Sequence, residues 1–180
     1  GKEGEYLTDR LTDEAISLIR QNKEDPFFLY FPHYAVHSPL QAKKEMIARY
    51  EAIPEKERQG QPAYAAMVES VDQSVGRVVE TLSELSLEDN TLIIFTSDNG
   101  AWGTDMRPLR GEKGHLWEGG IRVPWIARWP GHVKPGSLSS TPIISTDTYP
   151  TILEVAGLEP KPDKLLDGVR VCFQFGRDDG

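Results

Sequence analysis

Two short apolar runs constrain the fold of this chain most: "FFLYF" at Phe27 to Phe31 and "LIIFT" at Leu92 to Thr96, with a long amphipathic segment between them. Each run is too short for an isolated helix and is made of aromatic, β-branched or other apolar strand formers, so each predicts a buried strand. Between them, Tyr64, Val68, Val71, Val75, Val78, Val79 and Leu82 recur at helical spacing and predict a helix over residues 63–85 with one apolar stripe. Gly76 falls on its other face, at a cost of about 1 kcal/mol relative to alanine. A strand, a long crossover through a helix and a second strand cannot be a hairpin, and predict a βαβ unit with parallel strands. Parallel strands end on one edge. The loops after Phe31 and Thr96 are therefore expected at the same rim of the sheet, where ligands bind in open α/β folds.

Around this unit, Thr8 is expected to cap a helix with Leu11, Ala15, Leu18 and Ile19 on one face, ending near Gln21. Residues 32–62 are polar and punctuated by proline, with one short helix near Lys44 to Tyr50. "VPWIARW", Val123 to Trp129, predicts a third strand. Asp147 is expected to cap a helix over "TYPTILEVAG", with Pro150 in its first turn and Gly157 stopping it. Beyond Gly157 the chain is rich in proline and charge and reads as linker-like.

The 180 residues fit one domain able to bury roughly 70% of its unfolded surface. A net charge of -8 with scattered basic residues argues against a nucleic-acid surface, so an anionic ligand would need local positive charge or a bound cation. Cys172 is the only cysteine, which excludes an internal disulfide framework and a thiolate zinc cluster. No stretch is long and apolar enough to span a membrane, and "GKEGEYLTDR" has no signal-peptide core. Either a cytoplasmic protein or a chain that begins after an export signal fits these residues.

At the expected rim, three features converge. Asp98, Asn99 and Gly100 close the second run; they fit an ordinary turn, and beside it stands the reading of Asp98 and Asn99 as two oxygen donors suited to a hard cation such as Ca²⁺ or Mg²⁺. In "HYAVHSP", His33 reads as a packing residue, while the predicted topology brings His37 towards Asp98 and Asn99, where an imidazole can donate to an anionic oxygen or protonate a leaving group. In "RPLRGEKGHLWEGGIRVP", glycines surround Lys113, which fits either a solvated surface lysine or a charge on a sulfate or phosphate oxygen. Glu118 and Arg122 read as a structural ion pair, and His115 is open to either role.

The blocks "FFLYFPHYAVHSP", "YAAMVESVDQSVGRVVETL", "IIFTSDNG", "PLRGEKGHLWEGGIRVPWIARWPG" and "STDTYPTILEVAG" resemble, in order, those of the type I sulfatases of the alkaline phosphatase-like superfamily, across nearly all of residues 5–169. The resemblance implies an α/β alkaline phosphatase-like sandwich, a largely parallel central sheet flanked by helices, incomplete at its N-terminal side. It implies hydrolysis of organic sulfate esters by a formylglycine nucleophile beside a divalent cation, usually Ca²⁺. On this reading Asp98 and Asn99 match metal ligands, Lys113 matches the lysine on the sulfate and ester oxygen, and His37 matches the histidine that helps the leaving group depart. The implied partner is a sulfated small molecule or glycan, with no nucleic acid and no membrane. The implied localisation is periplasmic, secreted or lysosomal.

The family's Cys-x-Pro-Ser-Arg type motif has no match here; Cys172, in "RVCFQFG", lacks the proline and arginine. The first pair of metal-binding aspartates is likewise unmatched. Residues 1–158 are thus expected to be the C-terminal portion of a sulfatase catalytic domain, inactive alone, and residues 159–180 a truncated start of a C-terminal subdomain. A sheet lacking its first strands is expected to self-associate through an exposed edge. Two alternatives stand beside this reading: a phosphodiester or phosphonate ester hydrolase of the same superfamily, and a noncatalytic remnant that binds an anion or a sulfated glycan.

Overall fold

The computed structural model describes residues 4–58, 60–163 and 165–171. Three helices form one layer, α1 (Leu7–Gln21), α2 (Lys44–Glu51) and α3 (Pro62–Glu84), with α1 and α2 packed on α3. Pro62 opens α3 at a position where the missing N–H is no loss. The apolar core of this layer is Ala15 and Ile19 of α1, Met46 of α2, and Ala66, Met67 and Leu82 of α3.

Small hydroxyl residues, and not the valine stripe, line the rest of the buried face. Thr8, Thr12, Ser70, Ser74 and Thr81 are buried, whereas Val71, Val75, Val78 and Val79 are half-buried and Val68 is exposed. The stripe lies about 100° round the helix from the buried ridge. The reason is local: Thr12, Ser70 and Thr81 donate to the carbonyls of Thr8, Ala66 and Arg77, one turn back, at 2.6, 2.8 and 2.8 Å. A hydroxyl that is bonded inside its own helix can be buried without a partner across the interface, and its small size lets the helices approach. Thr8 therefore lies inside α1 and does not cap it.

The strand reading divides in two. Residues Ile93–Thr96 form β1, as expected, and Trp125–Arg128 form β2. They pair antiparallel, with Ile93 opposite Arg128, Ile94 opposite Ala127, Phe95 opposite Ile126 and Thr96 opposite Trp125. This two-stranded ribbon is the sheet among the described residues. Phe27 to Phe31 forms no strand, and the parallel pairing predicted between it and β1 is not formed. Its aromatic residues have no neighbouring ladder here, and Phe28 and Tyr30 are 68% and 77% exposed. A strand needs a partner, and the partner β1 takes is the segment that its own following loops return to it.

A single turn of helix, α4 (Glu118–Ile121), precedes β2, and α5 (Thr148–Val155) follows it. Asp147 precedes α5, but its carboxylate accepts from the amides of Ile144 and Val169 at 2.9 and 2.8 Å, closing the preceding 3-10 turn and clamping the later chain. Two backbone donors stabilise the charged form and hold this carboxyl below the ordinary aspartate range. Val171 adds a bond to Thr151 Oγ1 at 2.8 Å. Gly157, at φ +66°, turns the chain out of α5. Cys172 lies outside the described residues. No described helix is long and apolar enough to cross a membrane.

Candidate active site

β1 delivers Asp98 and Asn99 into a turn at its C-terminal end. Thr96 Oγ1 donates to the carbonyl of Pro124 at 3.0 Å, and Ser97 Oγ donates to the carbonyl of Asn99 at 3.0 Å, which bends the chain sharply after the strand. Asn99 Nδ2 donates to Asp98 Oδ2 at 2.6 Å. Asp98 is exposed and Asn99 half-buried, so Asp98 Oδ1 and the Asn99 amide oxygen remain as acceptors.

This turn is fastened to the glycine-rich loop backbone to backbone. Gly100 N donates to Gly120 O at 2.9 Å, Lys113 N to Ala101 O at 2.9 Å, and Gly119 N to Arg110 O at 2.8 Å. Glu112 Oε2 accepts from Gly103 N at 2.8 Å. The contacts are too close for side chains: a Cβ at Gly100 would collide with the carbonyl of Gly119, and one at Gly119 with the carbonyl of Gly111. What reads in sequence as flexibility is close approach. Gly100 and Gly119 are thus positioning residues: in the sequence Gly100 marks the turn after Asn99 and Gly119 is one of the loop glycines around Lys113, but neither shows there as a point where two backbones touch.

Within the same loop, the Arg110 guanidinium sits 3.8 Å over the Trp117 ring, and Arg122 pairs with Glu118 at 3.1 Å, the structural ion pair expected. His115 accepts from Glu112 N through Nδ1 at 3.3 Å, a loop-closing contact. Arg107 holds the Asp105 carboxyl well below its usual range, at about 2, by hydrogen bonds from its side chain and backbone. Lys113 is half-buried, and among the described residues its ammonium has no carboxylate partner.

His37 lies on a separate loop. Its amide donates to Tyr34 O at 3.0 Å, and its Nδ1 contacts Ser38 O at 2.8 Å. A carbonyl only accepts, so Nδ1 carries a proton in that contact and Nε2 is the atom left to face solvent and exchange a proton. No hydrogen bond or ion pair joins His37 to the loops around Asp98 and Lys113 among the described residues. His33 is a packing residue as read, half-buried with its ring 4.3 Å from that of Phe31. Burial lowers its pKa.

The oxygen donors of Asp98 and Asn99 are the hard type that a divalent cation takes, and they fit as part of a larger set. Among the described residues, no group of three or more His, Cys, Asp or Glu converges on one point.

The sulfatase family model matches residues 1–158. The chain belongs to the sulfatase family. It is 39% identical to a sulfatase of Formosa agariphila over 93% of this chain and 33% of that protein. It is 37% identical to the steryl-sulfatase of Rattus norvegicus over 90% of this chain and 28% of that one. A crystal structure of Ps i-CgsB in complex with k-i-k-neocarrahexaose superposes with a TM-score of 0.84 at 43% identity, covering 94% of this chain and 38% of that one. The chain spans about a third of the length of the curated relatives it matches. Its fold is accordingly the alkaline phosphatase-like α/β fold of the sulfatases, of which these residues form a part, and the family association suggests a divalent cation.

Proposed function

We propose that this chain forms the C-terminal portion, residues 1–158, of a sulfatase catalytic domain that hydrolyses organic sulfate esters, followed by the start of a smaller subdomain at 159–180. The observation that carries the reading at the level of residues is the bond from Lys113 N to Ala101 O, which fixes Lys113 beside the turn that holds Asp98 and Asn99. Asp98 and Asn99 would hold part of the shell of a divalent cation, Ca²⁺ on this reading, which when bound would neutralise charge on the sulfate. Lys113 places its ammonium on a sulfate oxygen and the ester oxygen, a role suited to a point charge without a carboxylate partner. His37, held through Nδ1 by Ser38 O, presents Nε2 to the departing ester oxygen and, as an imidazolium protonated at both nitrogens, gives up the Nε2 proton that the S–O cleavage requires. The nucleophile, a formylglycine, is not supplied by these residues, so the complete enzyme is needed for turnover.

The substrate class is a sulfated saccharide, supported by the likeness to a protein solved with an oligosaccharide at 43% identity. An exported location, periplasmic, secreted or lysosomal, goes with this reading, and so does self-association of the isolated chain through an exposed sheet edge. No observation favours a phosphate ester.

Hydrolysis of a chromogenic aryl sulfate with Ca²⁺ present tests the activity. Turnover by the complete protein and none by this chain alone is expected. A complete protein that cleaves aryl phosphates and leaves aryl sulfates intact would overturn the reading.

A further inference from the structure

Four residues before His37 stands an imidazole that the proposed chemistry does not use. His33 Nε2 lies 3.4 Å from Ser74 Oγ on α3. Ser74 Oγ lies 2.6 Å from Thr12 Oγ1 on α1. Thr12 Oγ1 in turn lies 2.6 Å from the carbonyl oxygen of Thr8.

The protons in this series follow from what each group can donate. The Thr8 carbonyl only accepts, so the single hydroxyl proton of Thr12 is committed to it. Ser74 must then donate to Thr12, and with its own proton used it can only accept from His33. Nε2 therefore carries the ring proton, and Nδ1 is left with a lone pair. Nδ1 is buried without a hydrogen-bond partner among the described residues. That agrees with the same tautomer, because an orphaned acceptor is better tolerated in a protein interior than an orphaned N–H. Desolvation favours the neutral ring as well.

We propose that His33 is a positioning residue: a neutral, Nε2-protonated imidazole that heads a one-way hydrogen-bond series through Ser74 and Thr12 to Thr8, and so pins the loop carrying His37 to the buried seam between α1 and α3. The Phe31 ring, 4.3 Å away, fixes the plane of the imidazole. The turn in which His37 N donates to Tyr34 O starts at the next residue, so the anchor and the turn share a backbone. The consequence for turnover rests on His37 serving the sulfatase reaction; the tautomer and the anchoring do not.

Nitrogen NMR of histidine-labelled protein at neutral pH reads the tautomer, and amide hydrogen exchange at His37 reads the anchoring. His33 is expected as the Nε2–H form, and Ser74→Ala is expected to shift its tautomer balance. His33→Gln, whose amide can donate to Ser74, retains slow exchange at His37, whereas His33→Leu speeds it about tenfold, the order of one lost hydrogen bond. In the complete enzyme, His33→Leu lowers kcat about tenfold with KM unchanged, and His33→Gln restores it. An Nδ1–H tautomer in the wild type, or exchange at His37 unaltered in both His33→Leu and Ser74→Ala, overturns the proposal. Ser74→Ala removes one hydroxyl and carries the test where the leucine variant fails to fold. Tautomer and exchange decide the matter even in a protein that turns over no sulfate ester, so failure of the anchor and failure of the sulfatase reading are told apart.

Discussion

The helical layer and the loop region around Asp98 close by different means. In the helices, side chains make the interface: Ile19, Met46 and Met67 fill it, and hydroxyls bonded to their own helix allow it to be narrow. In the loops, main chain meets main chain, and the space for side chains is absent at Gly100 and Gly119. Removal of atoms therefore damages the first region, and addition of atoms damages the second. The region held by backbone contact is also the one that carries the candidate metal ligands and the lysine, which suits a site whose parts must stay in register.

The largest effect on stability is expected for Ile19→Ala, which deletes a side chain that is 2% exposed between α1 and α3. A loss of about 2–5 kcal/mol in denaturant unfolding is the prediction. The reverse change, Gly100→Ala, adds one carbon where the Gly119 carbonyl already lies, and costs about 1–3 kcal/mol with loss of the loop register. If Gly100→Ala were neutral while Ile19→Ala was severe, the contrast between the two regions would fail.

Acid sharpens the same comparison. The unfolded His33 ring takes up its proton near 6.5, and the folded one only at lower pH. Between those values the unfolded state binds more protons, so stability falls as pH falls below 6.5. Asp147 behaves alike further down: unfolded it binds a proton near 3.8, folded only below that, so the clamp on Val169 weakens as pH falls through that lower range. Urea midpoints followed from pH 8 to 3 should show the first loss at the histidine step, and His33→Gln should remove that step alone.

The smallest effect runs the other way. Gly76 lies exposed in the middle of α3 with open space where a Cβ would stand, so Gly76→Ala should stabilise by about 1 kcal/mol without touching either interface.

How far these features could be read in the sequence follows the same division. Helical spacing placed the long helix at 63–85, against Pro62–Glu84 observed, because periodicity reports the element directly. It missed which face is buried, since hydropathy counts Ser70 and Ser74 as polar, while their bonds inside the fold remove that cost. The run ending at Thr96 was legible as a strand with a turn after it, which brought out Asp98 and Asn99. Phe27 to Phe31 carries the same strand propensity, but propensity does not supply a partner, and pairing is decided by chain that lies far off in sequence. Lys113 was picked out by its surroundings, yet its closeness to residue 101 depends on one backbone bond that no spacing encodes. The sequence brought His37 towards Asp98 and Asn99 only through the expected parallel pairing of the two apolar runs; that pairing is not formed, and among the described residues no hydrogen bond or ion pair joins His37 to them.

The central claim is that the glycine-fastened loops hold Lys113 beside Asp98 and Asn99 for sulfate ester cleavage. Turnover of an aryl sulfate by the complete enzyme carrying Lys113→Ala, with Gly76→Ala as the control, tests it most directly. The account predicts a fall of about 100-fold or more in kcat for Lys113→Ala, with folding intact and the control unchanged. Near-normal turnover in Lys113→Ala would contradict it.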